Sequence, residues 1–196
     1  MKKIVLAVLL TGASGLVASD SGFYVGADIG NTAYDMKTSV TVTGYGSASA
    51  SSDDDDGSQT LKVGYYLDKN NRVSASFQNI NVDNGDARTY NVGYDYLIGD
   101  NDFKPFIGVL AGYGSATSDG YDVLGGKSID VNGAIFGIQV GLNYAINENF
   151  SAEAGYRYIK SNMEDTISGV YSGYDYSAKL EIDTIKNLFF GVNYKF

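Results

Sequence analysis

The chain has 196 residues, one domain's worth, and its 44% hydrophobic and 19% charged content excludes an unfolded polymer. It carries 25 Gly and 17 Tyr but one Pro and no Cys, Trp or His, so disulfides, a lipid-bearing cysteine, thiolate metal sites and the commonest general base are all excluded. A formal charge of −9 argues against nucleic acid as a partner, because phosphate contacts need a basic surface.

Residues 1–19 read as a secretory signal peptide. Lys2 and Lys3 give a positive start, Ile4 to Leu10 is unbroken apolar sequence, and a cleavable end follows at Val17, Ala18 and Ser19. The stretch is too short for a spanning helix, and its removal takes the formal charge from −9 to −11.

From residue 22 onward the sequence alternates with the strand period of two in eight segments. The first sets Phe23, Val25, Ala27 and Ile29 against Tyr24, Gly26, Asp28 and Gly30. The second sets Leu61, Val63, Tyr65 and Leu67 against Lys62, Gly64 and Tyr66, and the third Val73, Ala75 and Phe77 against Arg72, Ser74, Ser76 and Gln78. In the fourth, Tyr90, Val92, Tyr94 and Tyr96 oppose Asn91, Gly93 and Asp95. The fifth, Lys104 to Tyr113, has Pro105 at its start, where a missing donor does least harm, and sets Ile107, Val109, Ala111 and Tyr113 against Gly108, Leu110 and Gly112. The sixth opposes Phe136, Ile138, Val140, Leu142 and Tyr144 to Gly137, Gln139, Gly141 and Asn143. The seventh opposes Phe150, Ala152, Ala154, Tyr156 and Tyr158 to Ser151, Glu153, Gly155 and Arg157. The eighth opposes Leu188, Phe190, Val192, Tyr194 and Phe196 to Asn187, Phe189, Gly191, Asn193 and Lys195.

Three connections, Asp68–Asn71, Ile98–Phe103 and Ala145–Asn149, are short and rich in Asp, Asn and Gly, as tight hairpins require. The others, near 35–58, 80–87, 114–128 and 160–178, read as longer polar loops. With eight strands all the short turns fall at the end that holds both termini, the asymmetry of outer-membrane barrels. A soluble ligand-carrying barrel would put the apolar face inside. Glycine and a few long charged residues of both signs on the polar face suit instead a narrow lumen filled by side chains. Tyr144, Phe150, Tyr158 and Tyr194 near strand ends suit interfacial girdles on a lipid-facing surface. The expected architecture is all-β: residues 20–196 form an eight-stranded antiparallel up-and-down transmembrane β-barrel.

The ending Leu188-Phe-Phe-Gly-Val-Asn-Tyr-Lys-Phe196 resembles the terminal signal of bacterial outer-membrane barrels, with Phe last and aromatic or apolar residues at alternate positions before it. The resemblance implies that Leu188, Phe190, Val192, Tyr194 and Phe196 are read by the barrel-assembly machinery. Together with Phe150-Ser-Ala-Glu-Ala-Gly-Tyr-Arg-Tyr158, residues 22–196 resemble the small OmpA-like and OmpX-like barrels, including surface antigens of the opacity type. That implies residence in the bacterial outer membrane after secretion to the periplasm, among lipids and lipopolysaccharide. The sequence reaches its final Phe without the peptidoglycan-binding domain of longer relatives, so no tethering role is expected.

Seven charges lie on the polar face: Asp28, Lys62, Arg72, Asp95, Glu153, Arg157 and Lys195. Charge in a narrow barrel must be paired or wetted, so ion pairs plugging the lumen are expected. Asp53, Asp54, Asp55 and Asp56 form a bare carboxylate run without the spaced ligands and turning glycine of a calcium loop; it is a weak candidate for divalent ions, and a solvated loop is the simpler reading. No cofactor is expected. Without His, and with no spacing that points to a Ser–Lys or paired-carboxylate mechanism, no catalysis is expected either. The expected role is structural, adhesive or surface display, with host or other surface ligands as candidate partners. The alternative is a narrow passive pore for ions or small solutes, or a lateral path for hydrophobic molecules.

Overall fold

In each strand one face is apolar and the other mixed, and the only way to hide the backbone of eight such strands from lipid is to close them on themselves. The computed structural model describes residues 21–82, 85–118, 129–171 and 173–196 and shows that closure. The strands are β1 (Gly22–Val42), β2 (Gly46–Tyr66), β3 (Asn71–Ile80), β4 (Gly85–Leu97), β5 (Phe103–Ser118), β6 (Ile129–Ala145), β7 (Phe150–Tyr171) and β8 (Tyr174–Lys195). Each pairs antiparallel with its neighbour in chain order, and β8 returns to β1 to shut the barrel. The expected signal peptide lies outside the described residues.

All eight alternations have the orientation read from the sequence. Ile29, Leu61, Val92, Val109, Ile138 and Phe190 face outward, while Tyr24, Asp28, Arg72, Asp95 and Asn187 are buried inside. The tight turns lie at the end that carries Gly22 and Phe196. At one of them Asp68 Oδ1 accepts from the backbone N–H groups of Asn70 and Asn71 at 2.7 and 2.8 Å. The Asn70 N–H, then the Asn71 side chain, hold the Asp68 carboxyl below the usual carboxylate range. Asn147 Oδ1 does the same structural work with Asn149 and Phe150.

The long connections need correction. Residues 35–58 and 160–178 are mostly strand, not loop: β1 and β2 have 21 residues each, β7 and β8 have 22 each, and the β1–β2 turn is confined to residues 43–45. Crossing a bilayer takes about 9–11 residues of tilted strand. The remainder of these hairpins stands outside the membrane, where the outer face is wet and, toward the tips, the inner face is wet as well. There the backbone ladder persists but the apolar alternation that reports it disappears. Strand β5 likewise continues to Ser118, inside the segment read as the third loop.

Two irregularities break the period. Strand β8 carries an extra residue against β1 at Asp35 and Met36, and β7 carries one against β8 between Lys160 and Met163. The extra residue of β8 shifts its inward phase, so Ile182 and Ile185 are both buried. With Tyr34, Leu110, Val131, Ile135, Ile159 and Met163 they form an apolar core in the outer half of the lumen. A second, smaller cluster of Leu97, Phe106 and Phe189 packs near the short-turn end.

Candidate functional site: a closed ring of charges across the lumen

Six of the seven inward charges meet in one plane of contacts. Arg72 on β3 donates from Nε to Asp95 Oδ2 on β4 at 2.9 Å, and from Nη1 to Glu153 Oε2 on β7 at 3.0 Å. Glu153 also binds Lys62 on β2, whose Nζ lies 2.7 Å from Asp28 Oδ1 on β1. Arg157 on β7 reaches the other Asp28 oxygen at 2.8 Å. Gln139 on β6 completes the circuit, accepting from Arg157 Nε at 2.9 Å and donating to Asp95. The sequence of contacts is therefore Asp95–Arg72–Glu153–Lys62–Asp28–Arg157–Gln139 and back to Asp95. Three cations and three anions alternate, so the ring is neutral, and every charged member has a relative exposure of 8% or less.

Register explains two of these seven contacts. Arg72 stands opposite Asp95 and Gln139 opposite Arg157 in their ladders, so those pairs need no reach. Lys62 and Asp28 lie on neighbouring strands, two positions apart in the ladder, while the remaining contacts reach between strands that are not paired and rely on the long side chains of Arg, Lys, Glu and Gln. The two strands that give no member to the ring supply room. On β5, a Cβ at Gly108 would press on the Asp95 carboxylate, and on β8 one at Gly191 would press on Asp28.

Rings and amides line this plane. The Arg157 guanidinium lies 3.9 Å from the Phe189 ring centroid, and that of Arg72 lies 5.0 Å from Phe106 and 5.7 Å from Tyr24. Asn193 donates to Glu153 Oε2 at 2.9 Å. Such stacking suits the weakly hydrated guanidinium, which tolerates burial better than an ammonium. On the outer side follows a neutral polar layer. Asn187 donates to Thr32 Oγ1 and Ser58 Oγ at 2.9 and 3.0 Å, with Gln78 and Thr89 alongside.

The remaining candidates are placed otherwise. Lys195, half-buried, sits apart from the ring with its Nζ 5.5 Å from the Tyr66 ring centroid. Leu188, Phe190, Val192, Tyr194 and Phe196 form one outward row on β8. Asp53 to Asp56 do not form a loop: they belong to β2, and alternation sends consecutive carboxylates to opposite faces. Asp56 accepts from the Tyr34 hydroxyl at 2.7 Å and Asp55 from Asn31 at 2.9 Å, and no group of three or more metal-ligating side chains occurs among the described residues. Gln139, Asn193, Tyr24, Phe106 and Phe189 were not singled out from the sequence. Except for Phe106, which is assigned to neither face from the sequence, they stand on the polar face of the alternation, but as uncharged residues they give no sign of joining a charge network. Farther out, the Lys179 ammonium is held above its ordinary value by hydrogen bonds to Glu164 and then Glu181.

Comparison with known proteins agrees with the barrel fold. No curated protein matches the chain. Among solved structures it is similar to the outer membrane protein OprG of Pseudomonas aeruginosa, with a TM-score of 0.65 and 16% identity over 90% of this chain and 97% of that one. It is similar also to Neisserial surface protein A, with a TM-score of 0.56 and 23% identity over 89% and 97%. For OprH of P. aeruginosa the TM-score is 0.50 and the identity 24%, over 85% and 99%. At these identities the likeness shows the fold. The family of outer membrane protein beta-barrel domains matches residues 4–196, and the chain belongs to it: an eight-stranded barrel of the bacterial outer membrane.

Proposed function

We propose that this barrel is a surface protein with a structural, adhesive or display role, and that it performs no catalysis and conducts no solute. The observation that carries the reading is the neutral ring of Asp28, Lys62, Arg72, Asp95, Glu153 and Arg157 with Gln139, which crosses the lumen from strand to strand. A conducting path would have to separate buried, mutually compensated charges, and removing one partner of such a pair costs about 3–5 kcal/mol. The same compensation speaks against catalysis, since each ring carboxylate already accepts from two or more donors. Two hairpins of roughly twice the bilayer-spanning length, β1–β2 and β7–β8, extend beyond the membrane, and they support display. The similarity to a Neisserial surface protein is consistent with that role.

The outward row ending at Phe196 supports the further reading that this strand is engaged by the barrel-assembly machinery, with lipids and lipopolysaccharide as the surrounding partners. Planar-bilayer recording of the refolded chain tests the central claim. No steady conductance above the lipid background is expected. A stable open channel would overturn the sealed-barrel reading and put the narrow pore in its place.

A further inference from the structure

Above the polar layer the lumen changes character. Tyr34, Ile80, Val131, Met163, Ile182 and Ile185 are buried and apolar, and they border a cavity of about 370 Å³. The cavity has a physical origin. Inward positions on the surrounding walls are small (Thr38, Ser52, Ala87, Ala116, Ala178), so their side chains do not meet across the barrel as the Arg and Glu chains do below. The neutral polar layer and the ring lie toward the short-turn end of the same lumen, so the space is a pocket with a floor and not a passage.

The size falls at the lower end of small-molecule sites, and mostly apolar walls with a few polar groups at the edge are their usual make-up. Near the edge Arg88 pairs with Asp86 and Lys179 with both Glu164 and Glu181, and Asp54 adds a further carboxylate to the lining. The surplus at the edge is negative, so it repels an anionic head, and burying any ionic head unpaired among the apolar walls is costly. We infer that this outer-half cavity is a binding site for an uncharged, single-chain apolar molecule such as a long-chain alcohol. The molecule enters from the external side and lies against Met36, Met163, Ile182 and Ala178. Binding there does not require the charge ring to open, so the site is compatible with a sealed barrel.

Two methionines make the test direct. Apart from Met1, Met36 and Met163 are the chain's methionines, and both line the cavity. The full chain, refolded with 13C-methyl methionine in phosphatidylcholine nanodiscs, is titrated with 1-dodecanol. Both methyl resonances are expected to shift saturably, and sodium dodecanoate should bind at least about tenfold more weakly. Ala178→Phe and, from the opposite wall, Ala116→Phe fill the space and should each weaken 1-dodecanol binding by about tenfold or more. Either variant serves if the other does not fold, as judged by its mobility without boiling. Shifts that grow linearly without saturation, or that persist unchanged in a folded filled variant, mean partition into the bilayer only and overturn the proposal. Equal binding of dodecanoate overturns the uncharged class of ligand.

Discussion

Arg72 and Glu153 sit on β3 and β7, strands that are diametrically opposite in the ring of eight, yet Nη1 and Oε2 are 3.0 Å apart. That one pair spans the lumen, and both side chains are anchored on either flank: Arg72 by Asp95, Glu153 by Lys62 and Asn193. Removing Arg72 leaves two carboxylates short of a donor in a site where the cation is 2% exposed. Arg72→Ala should therefore lower the free energy of unfolding into urea by about 3–5 kcal/mol. Arg72→Lys should recover only part of it, because an ammonium cannot hold Asp95 and Glu153 in the same fork. An unchanged urea midpoint for Arg72→Ala would mean that water, not the ring, solvates these carboxylates.

Gln139 is the neutral link between Asp95 and Arg157. Gln139→Leu keeps the approximate volume and breaks both hydrogen bonds, leaving buried charged groups partly unsatisfied. A loss of about 1–3 kcal/mol is expected in equilibrium unfolding. Stability equal to wild type would show that the ring closes without it.

Glycine at position 191 makes space where the ring passes β8. A methyl group there would press on Asp28 and on the Ala27 backbone, so Gly191→Ala should cost about 1–3 kcal/mol by crowding. Gly57→Ala is the matched control, because a Cβ at Gly57 meets only Asn81 at 3.8 Å, and its effect should stay within about 0.5 kcal/mol. Similar losses at both positions would point to backbone propensity and away from the ring.

The chain contains no Cys, which allows single-cysteine mapping of its orientation. Tyr45→Cys, at the tip of the β1–β2 hairpin, should react with a membrane-impermeant maleimide on intact cells. Lys69→Cys, in a short turn, should react only after the envelope is opened. Labelling of Lys69→Cys on intact cells would invert the barrel.

Phe196 faces outward at the end of the β8 row, with its ring 5.1 Å from that of Tyr194. Losing it removes the burial of one partly immersed aromatic, about 1.5 kcal/mol, which a barrel closed by backbone pairing tolerates. Deleting Phe196 should hardly alter refolding from urea into detergent, yet should lower outer-membrane levels in cells. Equal loss in both assays would make the residue a structural anchor, and normal levels in cells would remove the assembly role.

The amino-acid sequence by itself determined which residues face lipid. Wherever one face of a strand is apolar and the other is not, as at Phe136 to Tyr144 or Leu188 to Phe196, the period of two leaves one arrangement that satisfies both sides. It also determined the strand number and the end at which the tight turns lie, because Asp68 and Asn147 cap their turns through neighbours in the chain. Where the outer face meets water instead of lipid, that signal vanishes, and the outer halves of β1, β2, β7 and β8 read as loops although their ladders continue. The bulge in β8 hid the inward phase of Ile182 for a related reason: a period shifted by one residue looks like no period. Tertiary structure alone decided the partners inside the lumen. Asp28 meets Lys62 from a neighbouring strand and Arg157 from farther round the barrel, and nothing local in the chain announces either contact. Barrel closure brings these side chains within reach, and their lengths then separate the crowded, charge-filled lower lumen from the small-residue cavity above it.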